Sequence, residues 1–306
     1  MEPSLPLRVA LAAGLCLGAA GCRSRAPRRP TGRAAMSALD PSAVPARRIV
    51  SLVPSATEML FALGAGAQMV GVSSYDDWPL EATRLPRVGA MVNPSFEAIM
   101  ALRPDAVTGV QGPIDVAALE RLQAAGVRVF FPRAESIAEV LASIDGYAAL
   151  SGRREAAATL RASIERDLAR TRAAVASRPR PRVLAVFSER PLVTAGPGSW
   201  VDEMLTLAGG DNVVRGGGRY PSLSVEQLLA LTPDVILDMT WQEGDVAPLA
   251  ASLARLTTIP AVRDGRVIRA ADPMLLRQGP RLGRAALRIA ALLHPEVAAA
   301  LDGGAP

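Results

Sequence analysis

Ser95-Phe96-Glu97-Ala98-Ile99-Met100-Ala101-Leu102-Arg103-Pro104-Asp105 returns 129 residues later as Ser224-Val225-Glu226-Gln227-Leu228-Leu229-Ala230-Leu231-Thr232-Pro233-Asp234. Each copy reads as a short helix with marked ends. The serine is an N-cap candidate, and the glutamate falls in the first turn, where a carboxylate complements the helix dipole. The proline stops the helix, and a β-branched strand follows: Val107 in the first copy, Val235-Ile236-Leu237 in the second. A second echo keeps the same order: Glu58-Met59-Leu60-Phe61-Ala62-Leu63-Gly64 and Glu203-Met204-Leu205-Thr206-Leu207-Ala208-Gly209. Two matched segments at this spacing predict a pseudo-duplicated pair of lobes rather than a solenoid, which needs three or more shorter units.

The chain has 306 residues, half of them hydrophobic, which supports one large or two modest cores. Its positive charge is concentrated at the front. Residues 1–48 carry eight arginines against Glu2 and Asp40, a surplus of six, while the whole chain carries +5; residues 49–306 therefore sum to −1. A near-neutral folded part argues against nucleic-acid binding, which needs a basic face on the folded module. Lysine is absent, and the two cysteines, Cys16 and Cys22, lie in the leader, so no disulfide is expected. With one histidine, His294, and no cysteine in the body, no protein-built transition-metal site is expected, and His294 reads as an exposed residue of the C-terminus.

Residues 9–21 are apolar and small, too short for a membrane span and suited to a signal-peptide core. Ala19-Ala20-Gly21-Cys22 resembles a lipoprotein processing site, so 1–21 is expected to be removed and Cys22 to carry lipid. Ordinary secretion and initiation at Met36 are the alternatives. Residues 22–46, rich in Arg, Pro, Ser and Ala, read as a flexible tether.

From 47 to 134 short apolar strands alternate with helical stretches, the pattern of a parallel sheet faced by helices. Ser55 and Glu58 have the spacing of a capping box at the first helix. Strands are expected at 106–110 and 127–131, with a helix at 114–125 between them. Residues 135–178 hold two helices, the second running from Arg153 to about Ser177 without Gly or Pro; at 1.5 Å per residue it spans ~35 Å, enough to bridge two lobes. The second lobe, 179–300, opens with strand 182–187, a loop at 188–199 and a helix at 200–208; the glycine-rich loop 215–221 precedes the second repeated helix, and the last helix covers 281–293.

Enzymatic constellations are missing. No Gly-x-Gly-x-x-Gly follows a strand, a Walker loop needs lysine, and Gly196-Pro197-Gly198-Ser199-Trp200 lacks the second glycine of a nucleophile elbow. Aromatic and polar residues instead gather on loops that follow strands, where open α/β sheets bind ligands. Tyr75, Trp78, Met91, Phe187, Tyr220, Trp241, Asp272 and Arg277 are the candidate lining of a cleft between the lobes.

Four motifs together, Arg48-Ile49-Val50-Ser51-Leu52-Val53-Pro54-Ser55-Ala56-Thr57-Glu58, Val70-Gly71-Val72-Ser73-Ser74-Tyr75, Asn93-Pro94-Ser95-Phe96-Glu97-Ala98-Ile99 and Thr194-Ala195-Gly196-Pro197-Gly198-Ser199-Trp200-Val201-Asp202-Glu203, resemble the periplasmic binding proteins of ABC importers for cobalamin, iron siderophores and haem. The resemblance spans roughly 47–295. It implies two Rossmann-like lobes with mostly parallel sheets, joined by one long backbone helix, and a monomer that binds without turnover. It implies that Glu97 and Glu226 dock into arginine pockets of a permease dimer served by an ATPase. Within the family the first two motifs lean toward the cobalamin branch: Tyr75 matches a corrin-contacting aromatic, Tyr220 stands where that branch has Trp, and Arg277 matches a cleft arginine. Two other corrin-contacting Trp positions fall on Met91 and Val110. The implied cargo is cobalamin or a related corrinoid, carried as ligand and not as cofactor, with a ferric siderophore or haem as the alternative; a ligand scavenger without a transporter is the further one.

Overall fold

The computed structural model of the protein describes residues 44–112, 116–240 and 248–302. The leader with Cys22, the first residues of the helix expected at 114–125, and Trp241 lie outside them.

The first lobe contains β1 (Ile49–Ser51), α1 (Pro54–Ala62), β2 (Met69–Gly71), the small hairpin β3 (Gly89–Ala90) and β4 (Asn93–Pro94), α2 (Phe96–Ala101), β5 (Ala106–Thr108), α3 (Val116–Ala124) and β6 (Arg128–Phe130). Its sheet is parallel throughout, in the order β2-β1-β5-β6. Two helices follow, α4 (Ile137–Ser151) and the 22-residue α5 (Arg154–Val175), about 33 Å long. The second lobe contains β7 (Arg182–Glu189), β8 (Leu192–Thr194), α6 (Trp200–Leu207), β9 (Asp211–Asn212), β10 (Ser222–Leu223), α7 (Val225–Leu231), β11 (Val235–Asp238), α8 (Leu249–Leu253), α9 (Pro260–Arg263), β12 (Val267–Arg269), α10 (Pro273–Leu276), α11 (Leu282–Leu293) and α12 (Ala298–Asp302). Its sheet runs β10-β8-β7-β11-β12, with β9 pairing the start of β7.

The duplicated phrase has the same architecture in both lobes. Ser95 and Ser224 cap α2 and α7, accepting hydrogen bonds from Ala98 N and Gln227 N. The residue before each proline, Arg103 (φ 46°) or Thr232 (φ 39°), turns left-handed, because a residue before proline is barred from continuing the helix. An arginine at the start of the first strand of each lobe then covers the freed carbonyls. Arg48 donates to Leu102 O and Arg103 O, and Arg182 to Leu231 O and Thr232 O. The aspartate after each proline accepts from the same strands: Asp105 from Arg47 N and Arg48 N, Asp234 from Arg182 N. Each repeated helix is thereby tied to the strand beside which its own strand pairs: β5 next to β1, and β11 next to β7.

Several expectations need correction. Ser55 and Glu58 form no capping box. Pro54 occupies the first helical position, Val53 is the N-cap, and no side chain caps the end. Glu58 therefore falls in the second turn on the buried face, fully shielded from solvent. His294 is buried, 3% exposed, because the chain continues through Pro295–Val297 into α12, which folds back on α5. The stretch 188–199 is not a plain loop: β7 extends to Glu189 and turns back as antiparallel β8.

The cores also differ from a simple pair. Each sheet has its own outer cluster, Val50, Val107, Leu119 and Phe131 in the first lobe, and Leu184, Val186, Leu228 and Ile236 in the second. The inner faces share one continuous core that passes through α4, α5 and α11, from Ile49 and Met59 through Ile144, Ile164 and Leu168 to Ile289 and Leu237. A shared core of close-packed side chains resists sliding, so the lobes are braced against each other.

Candidate functional site

The loop after β2 is held from beneath. Asp76, 2% exposed, accepts from Ser73 N (2.8 Å) and Ser73 Oγ (2.5 Å), and Arg87 donates to Ser73 O (2.7 Å). Burial pushes the Asp76 carboxyl up, against the pull of the Ser73 hydroxyl. With its backbone pinned, the loop turns Tyr75 (66% exposed) and Trp78 (42% exposed) outward.

Across from it, α10 and α11 of the second lobe bring up two arginines. Arg277 donates to Glu58 Oε1 (2.8 Å) and Asp77 Oδ1 (2.6 Å). Arg281 donates to both oxygens of Glu58 (2.8 Å each), and its guanidinium lies 4.5 Å from the centroid of the Trp78 ring. Two carboxylates of the first lobe and two guanidiniums of the second thus form one neutral cluster between the lobes. Hydrogen bonding to Arg277 holds the Asp77 carboxyl below its usual range. Bonds from Asp77 and Glu58 raise Arg277 further despite its burial.

A second bridge joins the lobes at Arg219, whose Nη1 lies 2.5 Å from Glu135 Oε2, and Ile137 N donates to Glu203 Oε2 at 2.8 Å. A cavity of about 410 Å3 opens beside it, walled by Arg133, Glu135 and Glu139 on one side and Ser199, Asp202 and Arg219 on the other. Tyr220, next along the chain, meets Phe187 edge to face with ring centroids 5.7 Å apart, and remains 48% exposed. The Tyr220 loop is seated by a close backbone approach: Gly196 N donates to Arg219 O (2.8 Å), and a Cβ on Gly196 would collide with Gly218 O.

The sequence-based candidates therefore divide. Trp78 and Arg277 meet in the interlobe cluster, Phe187 and Tyr220 meet each other, and Tyr75 is displayed on the Trp78 loop. Met91 leans into the outer core of the first lobe, against Gly112. Asp272 is exposed, but its carboxylate caps α10 by accepting from Met274 N (2.8 Å). Glu97 and Glu226 are both exposed in the first turns of α2 and α7. Sequence reasoning missed Glu58, Asp77, Arg281, Glu135 and Arg219. The available signal was Glu58 itself, an acid between Thr57 and Met59-Leu60 in an apolar helix, which needs a cationic partner once buried. Among the described residues, no helix is long and apolar enough to cross a membrane, and no group of three or more His, Cys, Asp or Glu could hold a metal ion.

This architecture is shared with known proteins. The vitamin B12-binding protein of Salmonella typhimurium is 32% identical over 218 residues, covering 71% of this chain and 81% of that one. The crystal structure of the periplasmic vitamin B12-binding protein of Vibrio cholerae superposes with a TM-score of 0.71 at 28% identity, covering 83% of this chain and 98% of that one. A periplasmic haem-binding protein from Pseudomonas aeruginosa superposes with a TM-score of 0.74 at 30% identity, covering 82% and 93%. Residues 49–273 match the periplasmic binding protein family, and the chain belongs to that family.

Proposed function

We propose that this chain is the solute receptor of an ABC importer for cobalamin or a closely related corrinoid, and that it binds its cargo without chemical turnover. The observation that carries the reading is the pairing of B12-binding relatives with exposed aromatics on rigidly held strand-end loops: Tyr75 and Trp78 on one lobe, Tyr220 on the other. A flat macrocycle is recognised chiefly by apolar contact and a few oriented polar groups, which such rings supply. In this reading Tyr75, Trp78, Phe187, Tyr220 and Arg277 border the ligand, together with Met91, Trp241 and Asp272. Cys22 carries the lipid that anchors the protein in the periplasm or at the extracytoplasmic face of a membrane, and it works as a monomer.

Glu97 and Glu226 are proposed to dock on the permease dimer. Both carboxylates stand exposed at helix N-termini, where they cost little to present, and the Ser224 hydroxyl holds Glu226 below its usual range. Titration of the purified chain with cyanocobalamin, cobinamide, haem and ferric hydroxamates tests the ligand. Corrinoid affinity well above the others is expected; haem binding with no corrinoid binding refutes the corrinoid reading. Haem is the second reading, favoured by the haem-binding neighbour and by the exposed Tyr75 phenol, a group of the kind that ligates haem iron.

A further inference from the structure

The cleft contains arginines but offers them to no ligand. Arg277 lies between Glu58 and Asp77, with its side chain 15% exposed. Arg281 is bidentate on Glu58 and turns its remaining face to the Trp78 ring. Arg219, beside Tyr220, is paired with Glu135, and Arg87, under the Tyr75 loop, is spent on Ser73 O. Every arginine that the structure brings to these aromatic residues already has a carboxylate or carbonyl partner. Asp77 is half exposed and Asp272 is exposed; Arg219 is about as open as Asp77, but its charge is matched by Glu135.

We infer that this is a carboxylate-rejecting site, and that the Glu58–Arg277–Asp77–Arg281 cluster is its specificity determinant. The inference rests on the corrinoid reading above and narrows it to the chemistry of the macrocycle's rim. A rim of primary amides can donate to Asp77 or to backbone carbonyls and accept from backbone N–H groups without disturbing any ion pair. A rim of carboxylates meets Asp77 as a like charge, and it gains a cation only by taking Arg277 from its two acids. Displacing the second acid strips the fully buried Glu58 of its Arg277 bond and leaves it with Arg281 alone, a cost that opposes the new pair. Selectivity here comes from repulsion and from the absence, among the described residues, of an unpaired cation at these aromatics, not from an added contact.

The test uses three probes against the full-length chain: cobinamide, whose corrin rim carries amides; cobyrinic acid, the same ring with carboxylates; and haem, which carries two propionates. Native protein is expected to bind cobinamide roughly 100-fold more tightly than cobyrinic acid, the scale of one charged hydrogen bond lost in a desolvated site. Asp77→Asn and Asp77→Ala free one side of Arg277 at a half-exposed position. In both, the cobinamide-to-cobyrinic-acid ratio is expected to narrow about tenfold, and the gain for the acid is expected to weaken with added salt. Cobinamide and cobyrinic acid bound equally well by the native chain overturns the inference while leaving the corrinoid reading standing. A native ratio that persists unchanged in both variants overturns the assignment to this cluster. Loss of both corrins with retention of haem instead removes the corrinoid reading, and the inference with it.

Discussion

Glu58→Gln is the sharpest test of how the lobes are held. The native carboxylate is fully buried and receives three N–H groups at 2.8 Å: Arg277 Nη1 and Arg281 Nη2 on Oε1, and Arg281 Nε on Oε2. Glutamine keeps the shape but turns one oxygen into a donor that faces other donors. One of the three bonds is lost outright, and the other two lose their charge assistance. Removing one partner of a buried pair costs about 3–5 kcal/mol. Here the loss is moderated, because Arg281 keeps 22% of its side chain in water and Arg277 keeps Asp77, so the lower end, about 3 kcal/mol, is expected. For a fold of this size that lowers the thermal midpoint by about 6–12 °C, read by calorimetry or by circular dichroism at 222 nm. The cluster is shielded, so 0.5 M salt is expected to change the difference little. Leucine at both 58 and 281 removes the pair together and leaves Arg277 with Asp77; the double variant is expected to recover more than half of the loss, since apolar replacement of a buried pair is often neutral. A midpoint drop under 2 °C for Glu58→Gln, or a double variant as unstable as the sum of the singles, refutes the view that this cluster braces the lobes.

Acid titration separates two neighbouring aspartates. Asp77 is held below its usual range by Arg277, so its contribution to stability is present above its unfolded value near pH ~4 and is lost as pH falls through the lowered one; Asp77→Asn is expected to flatten the acid limb of urea-melt midpoints between pH 6 and pH 2.5. Asp76, raised by burial, has the opposite sign, and its contribution declines as pH rises from the unfolded value through the folded one; in Asp76→Asn that decline should be gone. Gly196→Ala drives a methyl into Gly218 O and Pro221, and is expected to cost about 1–3 kcal/mol and to displace the loop that seats Tyr220; an unchanged melt and unchanged ligand titration would contradict the packing. Asp105→Ala and Asp234→Ala each strand the backbone N–H groups at the start of a strand, for about 1–2 kcal/mol apiece; lying in different lobes, they should add within about 0.5 kcal/mol in denaturant melts, and a larger coupling would contradict the independence of the two motifs.

Much of the fold could be read from local chemistry. The repeated Ser–Glu–Pro–Asp phrase marked two capped helices, each leading into a parallel strand, and the gap-free run from Arg153 marked the bridging helix. These signals are legible because capping, proline stops and β-branched runs act within a few residues of chain. The exposure of Tyr75, Trp78 and Tyr220 followed from their place on strand-end loops. The partnership of Glu58 with Arg277 and Arg281 was not legible: its members lie 219 and 223 residues apart, and the Ser55-x-x-Glu58 spacing imitated a local cap. Only the packed structure decides which of the two a carboxylate does: the helix starts at Pro54, ahead of Ser55, and the packing of α1 puts Glu58 on its buried face. His294 followed the same logic, a polar residue buried by a chain segment that follows it. Sequence by itself determined that there are two alike lobes joined by a helix. Tertiary structure alone decided that the lobes share one core and a neutral ion cluster, because burial and charge pairing are properties of segments brought together from distant parts of the chain.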